Sequence, residues 1–271
     1  MQLIMRPPSE AIRRALSEHP ERDRIDPQRA VRQHAAYVSA LESAGVRVVL
    51  LGSEPGLADA CFTWDTVLAF SQAETAGPTA LLVAARPGEP SRRPEVPSVL
   101  ACARRLAPAS KLVEIREPGT LDGGDVITYG NRVAIGVSAR TNEDGASQLA
   151  VAVRQLGYRA FLCPVDDRLH LASAVSPLGP RRLIGTQAGF RSLDAAGPDV
   201  APRGEVERLV IANDDLVAAN VLVAGGQCFV ARGHPAAVEV MRRAGEKVVE
   251  VDLEDFVRAD GGPTCLVAPI P

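Results

Sequence analysis

Lys111–Gly130 reads KLVEIREPGTLDGGDVITYG: a short strand, a polar loop broken by proline and glycine, then a strand of small and β-branched residues. The same order recurs four more times. VRVVLL (Val46–Leu51) leads to LADACFTWDTVLAF (Leu57–Phe70), and RAFLCPV (Arg159–Val165) leads to RLHLASAVSPLG (Arg168–Gly179). LVIA (Leu209–Ala212) leads to DLVAANVLVAGG (Asp215–Gly226), and KVVEV (Lys247–Val251) to DGGPTCLVAPI (Asp260–Ile270). The polar anchors of these loops, Asp59, Asp122, His170, Asn220 and Cys265, are separated by 63, 48, 50 and 45 residues, a loose period of repeat-protein size. Five strand–strand–helix–strand units in a ring would bring these loops to one axis and one central pocket. The competing reading is an ordinary three-layer α/β sandwich with coincidental spacing.

Helices fall between the repeated segments. One is expected from Pro27 to Gly45, with Ala30, Val31, Val38, Leu41 and Ala44 on one stripe and glycine as its stop signal. A second covers Val96–Leu106, with Val99, Leu100, Ala103 and Leu106 in phase. A third starts at the N-cap Asn142 and ends at Gly157, and a fourth runs from Pro235 to near Gly245. The spacing predicts an α/β chain whose residues 1–271 act as one domain.

Composition narrows the function. Hydrophobic residues at 46% and charged residues at 23% are globular values, which exclude a disordered tail. A net charge of −3 offers no footprint for a polyanion, and 4% aromatics leave little for base stacking, so nucleic acid is not an expected partner. No apolar run approaches the ~20 residues of a membrane span, and MQLIMRPPSE lacks a signal-peptide stretch, so no membrane contact and a cytoplasmic location are expected. Five cysteines without a C-x-x-C pair suggest neither a disulfide framework nor a zinc site, and no metal or organic cofactor is expected.

Chemistry concentrates in a few positions. Cys265 follows two glycines and a proline, an introduction a core cysteine rarely needs; Cys61, Cys102, Cys163 and Cys228 sit in apolar or strand contexts. A cysteine nucleophile needs a histidine and an orienting acid. His19, His34 and His234 have local structural explanations, which leaves His170 in RLHLASAV. Asp122 and Asp125 flank the diglycine of TLDGGDV; a tight turn needs only one of them, so the second is left over for a role. Asp59 and Asp65 bracket an apolar stretch that seldom tolerates two unpaired acids, and Arg92, Arg93 and Arg140 stand in loops. Such anchors in one pocket would suit a zwitterionic amino acid carrying a second cation.

Together the segments PGEPSRRPEV, PGTLDGGDV, SARTNEDGA, LHLASAV, DDLVAANV and DGGPTCL, in this order, resemble the dimethylarginine dimethylaminohydrolase family of the guanidine-modifying superfamily. The resemblance runs from about Leu3 to the C-terminus. It implies a five-bladed α/β propeller, the pentein fold, built of ββαβ repeats around a central pocket. It further implies that Cys265 attacks the guanidinium carbon and that His170 protonates the leaving amine and then activates water. Asp122 would hold guanidinium nitrogens and His170, Asp65 would grip the guanidinium, and Asp59 would receive the α-amino group. Arg92 and Arg140 would bind the α-carboxylate, and Leu16 would touch substrate from a lid, with Ser17–Arg24 as the candidate mobile segment.

Two positions depart from the family. A glutamate commonly precedes the guanidinium-binding aspartate, where this chain has Trp64; a lysine often follows the His-Leu pair, where it has Ala172. Trp64 is therefore expected at the substrate, weakening the hold on a dimethylated guanidinium or reshaping the leaving-group subsite. Free arginine, monomethylarginine and N-hydroxyarginine are alternative substrates. An amidinotransferase, in which an amine replaces water, and a non-catalytic sensor of arginine derivatives are the alternative functions. Exposed blade edges offer a route to a homodimer.

Overall fold

The computed structural model describes residues 1–73, 77–166 and 168–271. Its strands form five three-stranded sheets, each built on one plan. In blade one, β1 (Gln2–Met5) leads through α1 (Pro27–Ser43) to β2 (Arg47–Leu50), parallel to it. Blade two contains β3 (Val67–Phe70), β4 (Leu81–Ala84), α2 (Val96–Leu106) and β5 (Lys111–Glu114). Blade three contains β6 (Val126–Tyr129), β7 (Arg132–Val137), α3 (Glu143–Arg154) and β8 (Arg159–Pro164). Blade four has β9 (Val175–Gly179), β10 (Arg182–Thr186), α4 (Gln187–Ala195) and β11 (Glu207–Ile211); blade five has β12 (Leu222–Ala224), β13 (Gln227–Ala231), α5 (Pro235–Arg243) and β14 (Val248–Val251). A short helix, α6 (Glu254–Val257), precedes the last strand, β15 (Ala268–Ile270).

Each blade is an antiparallel pair followed by a helical crossover to a parallel third strand. The crossover is obligatory, because parallel neighbours cannot be joined by a tight turn. Blade one obtains its antiparallel member from the other end of the chain: β15 pairs with β1 in the register Leu3↔Pro269 and Ile4↔Ala268. The first strands pack side by side around the axis, β15 on β3, β6 on β9 and β9 on β12. This is the five-bladed α/β propeller expected from the repeat, and the sandwich alternative is excluded.

The helices pack their apolar stripes on the sheets. In α1 the buried residues Ala30, His34, Tyr37, Val38 and Leu41 recur at helical spacing, and Asp26 caps its start by accepting the Gln28 and Arg29 N–H groups. Arg29 of this helix grips the buried Asp255 of α6 in a bidentate pair, at 2.5 and 2.8 Å, which ties the start of the ring to its end.

Helix α4 was not expected from the sequence. It spans nine residues, and Gly189 in its first turn masks the helical period; there a Cβ would collide with the Ala174 carbonyl, so the glycine serves close packing. The ring nevertheless sets where side chains converge. Asp65, Asp122, His170, Asn220 and Cys265 all stand within a few residues before the first strand of a blade, at the same end of the axis. Asp65, rather than Asp59, is the blade-two residue at that turn.

Candidate active site

His170, Asp65, Arg92, Arg140, Asp59, Leu16 and Cys265 line one small cavity together with Phe62, Leu169 and the Ala259–Gly261 turn. Asp122 stands behind His170, wholly buried. Its Oδ2 lies 3.2 Å from His170 Nε2, and its Oδ1 accepts the Gly88 N–H at 2.9 Å. Asp65 accepts the Gly124 N–H at 2.7 Å with one oxygen and Arg92 Nη1 at 2.6 Å with the other. The diglycine makes this approach possible: a Cβ on Gly124 would lie 2.5 Å from His170 Nδ1 and 2.9 Å from Asp65 Oδ1.

The charges follow from this packing. Burial opposes a charged imidazole, but Asp65, Asp125 and Asp122 outweigh it and push the His170 pKa up to about 9. His170 is thus an imidazolium at neutral pH. Asp65 is held below the usual carboxylate range by His170 and Arg92, against its burial. Burial, with Asp65 adding to it, pushes the Cys265 thiol up to about 11, so the resting sulfur carries its proton. Burial also raises Asp59, whose Oδ1 accepts the Leu16 N–H at 3.1 Å.

The remaining histidines and cysteines are accounted for locally. His19 Nδ1 accepts the Glu21 N–H, His234 faces Asp215 at 3.0 Å, and burial pushes His34 down to about 4. Cys61, Cys102, Cys163 and Cys228 are buried thiols; Cys265 alone of the five is partly exposed.

Two expected roles change. Arg92 is not free for a carboxylate: besides Asp65 it binds Glu95 at 2.9 Å and the Phe62 carbonyl at 3.2 Å. A buried guanidinium must be neutralised where it sits, and these acids do so. Arg140 remains the half-buried cation of the cavity. Trp64 does not line the cavity at all. Its indole Nε1 donates to the Gly123 carbonyl at 2.6 Å, and the ring lines a separate, mostly apolar cavity. Ala172 lines that second cavity too, so the two family departures meet there and not in the small cavity beside Cys265.

Sequence reasoning missed Glu95, three residues beyond Arg92 in the same quoted motif; its burial pushes it up to about 7 despite the arginine. The 17–24 segment is held by a latch of two hydrogen bonds: Ser17 Oγ donates to the Arg258 carbonyl at 2.8 Å and the Glu18 N–H to Asp260 at 2.7 Å. The cavity beside Leu16 offers about 20 Å³, little more than one water-sized body. Among the described residues Asp65, Asp122 and His170 also present ligand atoms within 4.8 Å of one another. The Arg92 guanidinium and the His170 imidazolium already place two positive charges there, which disfavours a metal ion.

The family model for eukaryotic N,N dimethylarginine dimethylhydrolase matches residues 6–172. The N(G),N(G)-dimethylarginine dimethylaminohydrolase of Streptomyces coelicolor is 34% identical, over 97% of this chain and 94% of the relative. The chain belongs to the dimethylarginine dimethylaminohydrolase family. The enzyme of that name from Pseudomonas aeruginosa is 30% identical over 89% of this chain and 88% of its own length. Two solved dimethylarginine dimethylaminohydrolase structures superpose on 98% of this chain and 98% of their own. The Pseudomonas aeruginosa cysteine-to-serine mutant with citrulline has a TM-score of 0.85 at 27% identity. A histidine-to-glycine variant as an adduct with S-methyl-L-thiocitrulline has a TM-score of 0.84 at 26% identity. This chain is a family hydrolase acting on guanidine C–N bonds.

Proposed function

We propose that the protein hydrolyses an N-substituted L-arginine, with dimethylarginine as the first candidate, to L-citrulline and an amine. The observation that carries this reading is the His170 imidazole, paired with Asp122, and the Cys265 sulfur facing one small cavity that Asp65 also lines. A second cation arriving there stabilises the thiolate, whose proton leaves to solvent. Cys265 Sγ then bonds to the guanidinium carbon. His170 gives its proton to the substituted nitrogen, and the C–N bond breaks to release a neutral amine and an S-alkylthiouronium. The neutral His170 takes a proton from water, hydroxide adds to the same carbon, the C–S bond breaks to regenerate the thiolate, and the added hydroxyl loses its proton to solvent or the released amine to form the urea of citrulline. Asp122 and Asp65 favour the imidazolium before it gives up its proton and again once it regains one from water, and Asp65 keeps the guanidinium charged up to the attack.

Arg140 is the main partner of the α-carboxylate and Asp59 that of the α-amino group; Arg92 organises the acids. The position of Trp64 outside the cavity removes the expected obstacle to a dimethyl group. Residues 1–271 act as one domain on a small molecule. Five free cysteines suit a reducing, cytoplasmic compartment. Open edges at the outer strands allow a homodimer, which sedimentation velocity tests. Steady-state assays of citrulline and amine release over dimethyl-, monomethyl-, N-hydroxy- and free arginine test the substrate. A highest kcat/KM for dimethylarginine supports the reading, and formation of ornithine with a new guanidine overturns it.

A further inference from the structure

Four of the five axial polar positions have a role above; Asn220 does not. It ends the 3-10 turn Asn213–Ala219 just before β12 and is 6% exposed. All four of its side-chain hydrogen-bonding positions are used. Oδ1 accepts the Thr264 N–H at 2.9 Å and the Thr264 hydroxyl at 3.0 Å; Nδ2 faces the Ala172 carbonyl at 3.4 Å and Cys265 Sγ at 3.7 Å. The backbone N–H of Thr264 can only donate, so it fixes which end of the amide is oxygen, and the NH₂ group must face the sulfur. The nucleophile's turn is built to admit this amide: a Cβ on Gly262 would lie 2.6 Å from Asn220 Oδ1.

The Thr264 hydroxyl sits 4.0 Å from the sulfur but spends its proton on Asn220, so toward Cys265 it offers lone pairs. It suits the thiol, whose S–H donates to it. The Asn220 amide suits the thiolate. Nδ2 also anchors the carbonyl of Ala172, two residues beyond His170, so one amide connects the turn of the nucleophile with that of the acid.

We infer that Asn220 is a further catalytic residue, which donates an N–H to the Cys265 thiolate and fixes that sulfur relative to His170. The inference rests on Cys265 as nucleophile. It predicts that Asn220→Asp, which keeps the shape but loses the donor and adds a negative charge, slows iodoacetamide alkylation of Cys265 at pH 9 at least tenfold. Its kcat falls at least tenfold, with KM within threefold of the parent. Asn220→Ala shifts both readouts in the same direction by less, because no charge is added. It serves where the aspartate variant does not fold, as judged by circular dichroism and thermal unfolding. Peptide mapping identifies the alkylated cysteine. If folded variants alkylate Cys265 at the parental rate, the inference is wrong while the nucleophile stands; if Cys265→Ser retains turnover, the underlying mechanism fails instead.

Discussion

Replacing Asp122 by asparagine changes one atom and reverses the hydrogen bonding at the catalytic histidine. Gly88 N–H donates to Asp122 Oδ1, so in Asp122→Asn the amide oxygen stays on Gly88 and the NH₂ group faces His170 Nε2 at about the present 3.2 Å. A donor then meets a donor, and the imidazolium loses its direct counter-charge. Both residues are buried, at 0% and 6% exposure, so solvent offers little compensation. A hydrogen bond to a charged group contributes about 1.5–3 kcal/mol. Each ~1.4 kcal/mol corresponds to one pH unit or to tenfold in rate. The alkaline limb of kcat/KM, expected near the His170 pKa of about 9 in the parent, therefore moves down by about one to two units. The direction follows from the role: above its pKa the imidazole has no proton for the leaving amine. kcat at pH 7 falls about 10- to 100-fold. Citrulline formation over pH 6–10, with thermal unfolding as a check on folding, measures both. Asp122→Glu, which retains the acid, should lose less. An asparagine variant with parental kcat and an unmoved alkaline limb would refute the assigned charge on His170.

Gly124→Ala forces a methyl into a 2.5 Å approach to His170, and a displacement of about 1 Å in a catalytic group costs on the order of 10²-fold in kcat, read by the same assay. Arg92→Ala leaves Asp65 and Glu95 buried without their cation and should destabilise the fold by about 3–5 kcal/mol in urea unfolding. Arg140→Ala should leave unfolding nearly unchanged and raise KM about tenfold or more, the loss expected for a charge-assisted contact to a carboxylate. Equal stability losses in the two variants would contradict this division. Asp260→Ala removes the acceptor of the Glu18 N–H and loosens the latch; limited proteolysis should cut the 17–24 segment faster than in the parent.

Much of this architecture is written locally. The α2 bounds follow from an apolar stripe behind Pro97, and the third strands follow from runs such as KLVEI. The fivefold spacing carries the topology, because each loop before a first strand recurs at a similar interval. Helix α4 is hidden because its glycine answers to a tertiary contact with Ala174, which no local period reveals. Cys265, His170 and Asp65 are legible through the motifs around them, since a site residue that needs a diglycine or a proline turn carries that signal beside it. Arg92 and Trp64 are not. The partners that decide their orientation, Glu95 and the Gly123 carbonyl, depend on which of several nearby groups lies within reach once the ring closes. Asn220 was visible as a repeat position, but its contact with the sulfur depends on β15 returning to β1.

The proposed reaction turns on a covalent bond between Cys265 Sγ and the guanidinium carbon. Acid quenching during steady-state turnover of dimethylarginine, followed by mass spectrometry of the peptide carrying Cys265, tests it directly. This peptide should gain the mass of the substrate less dimethylamine, the other four cysteines should stay unmodified, and Cys265→Ser should give neither adduct nor citrulline. Sustained citrulline formation by Cys265→Ser would contradict it.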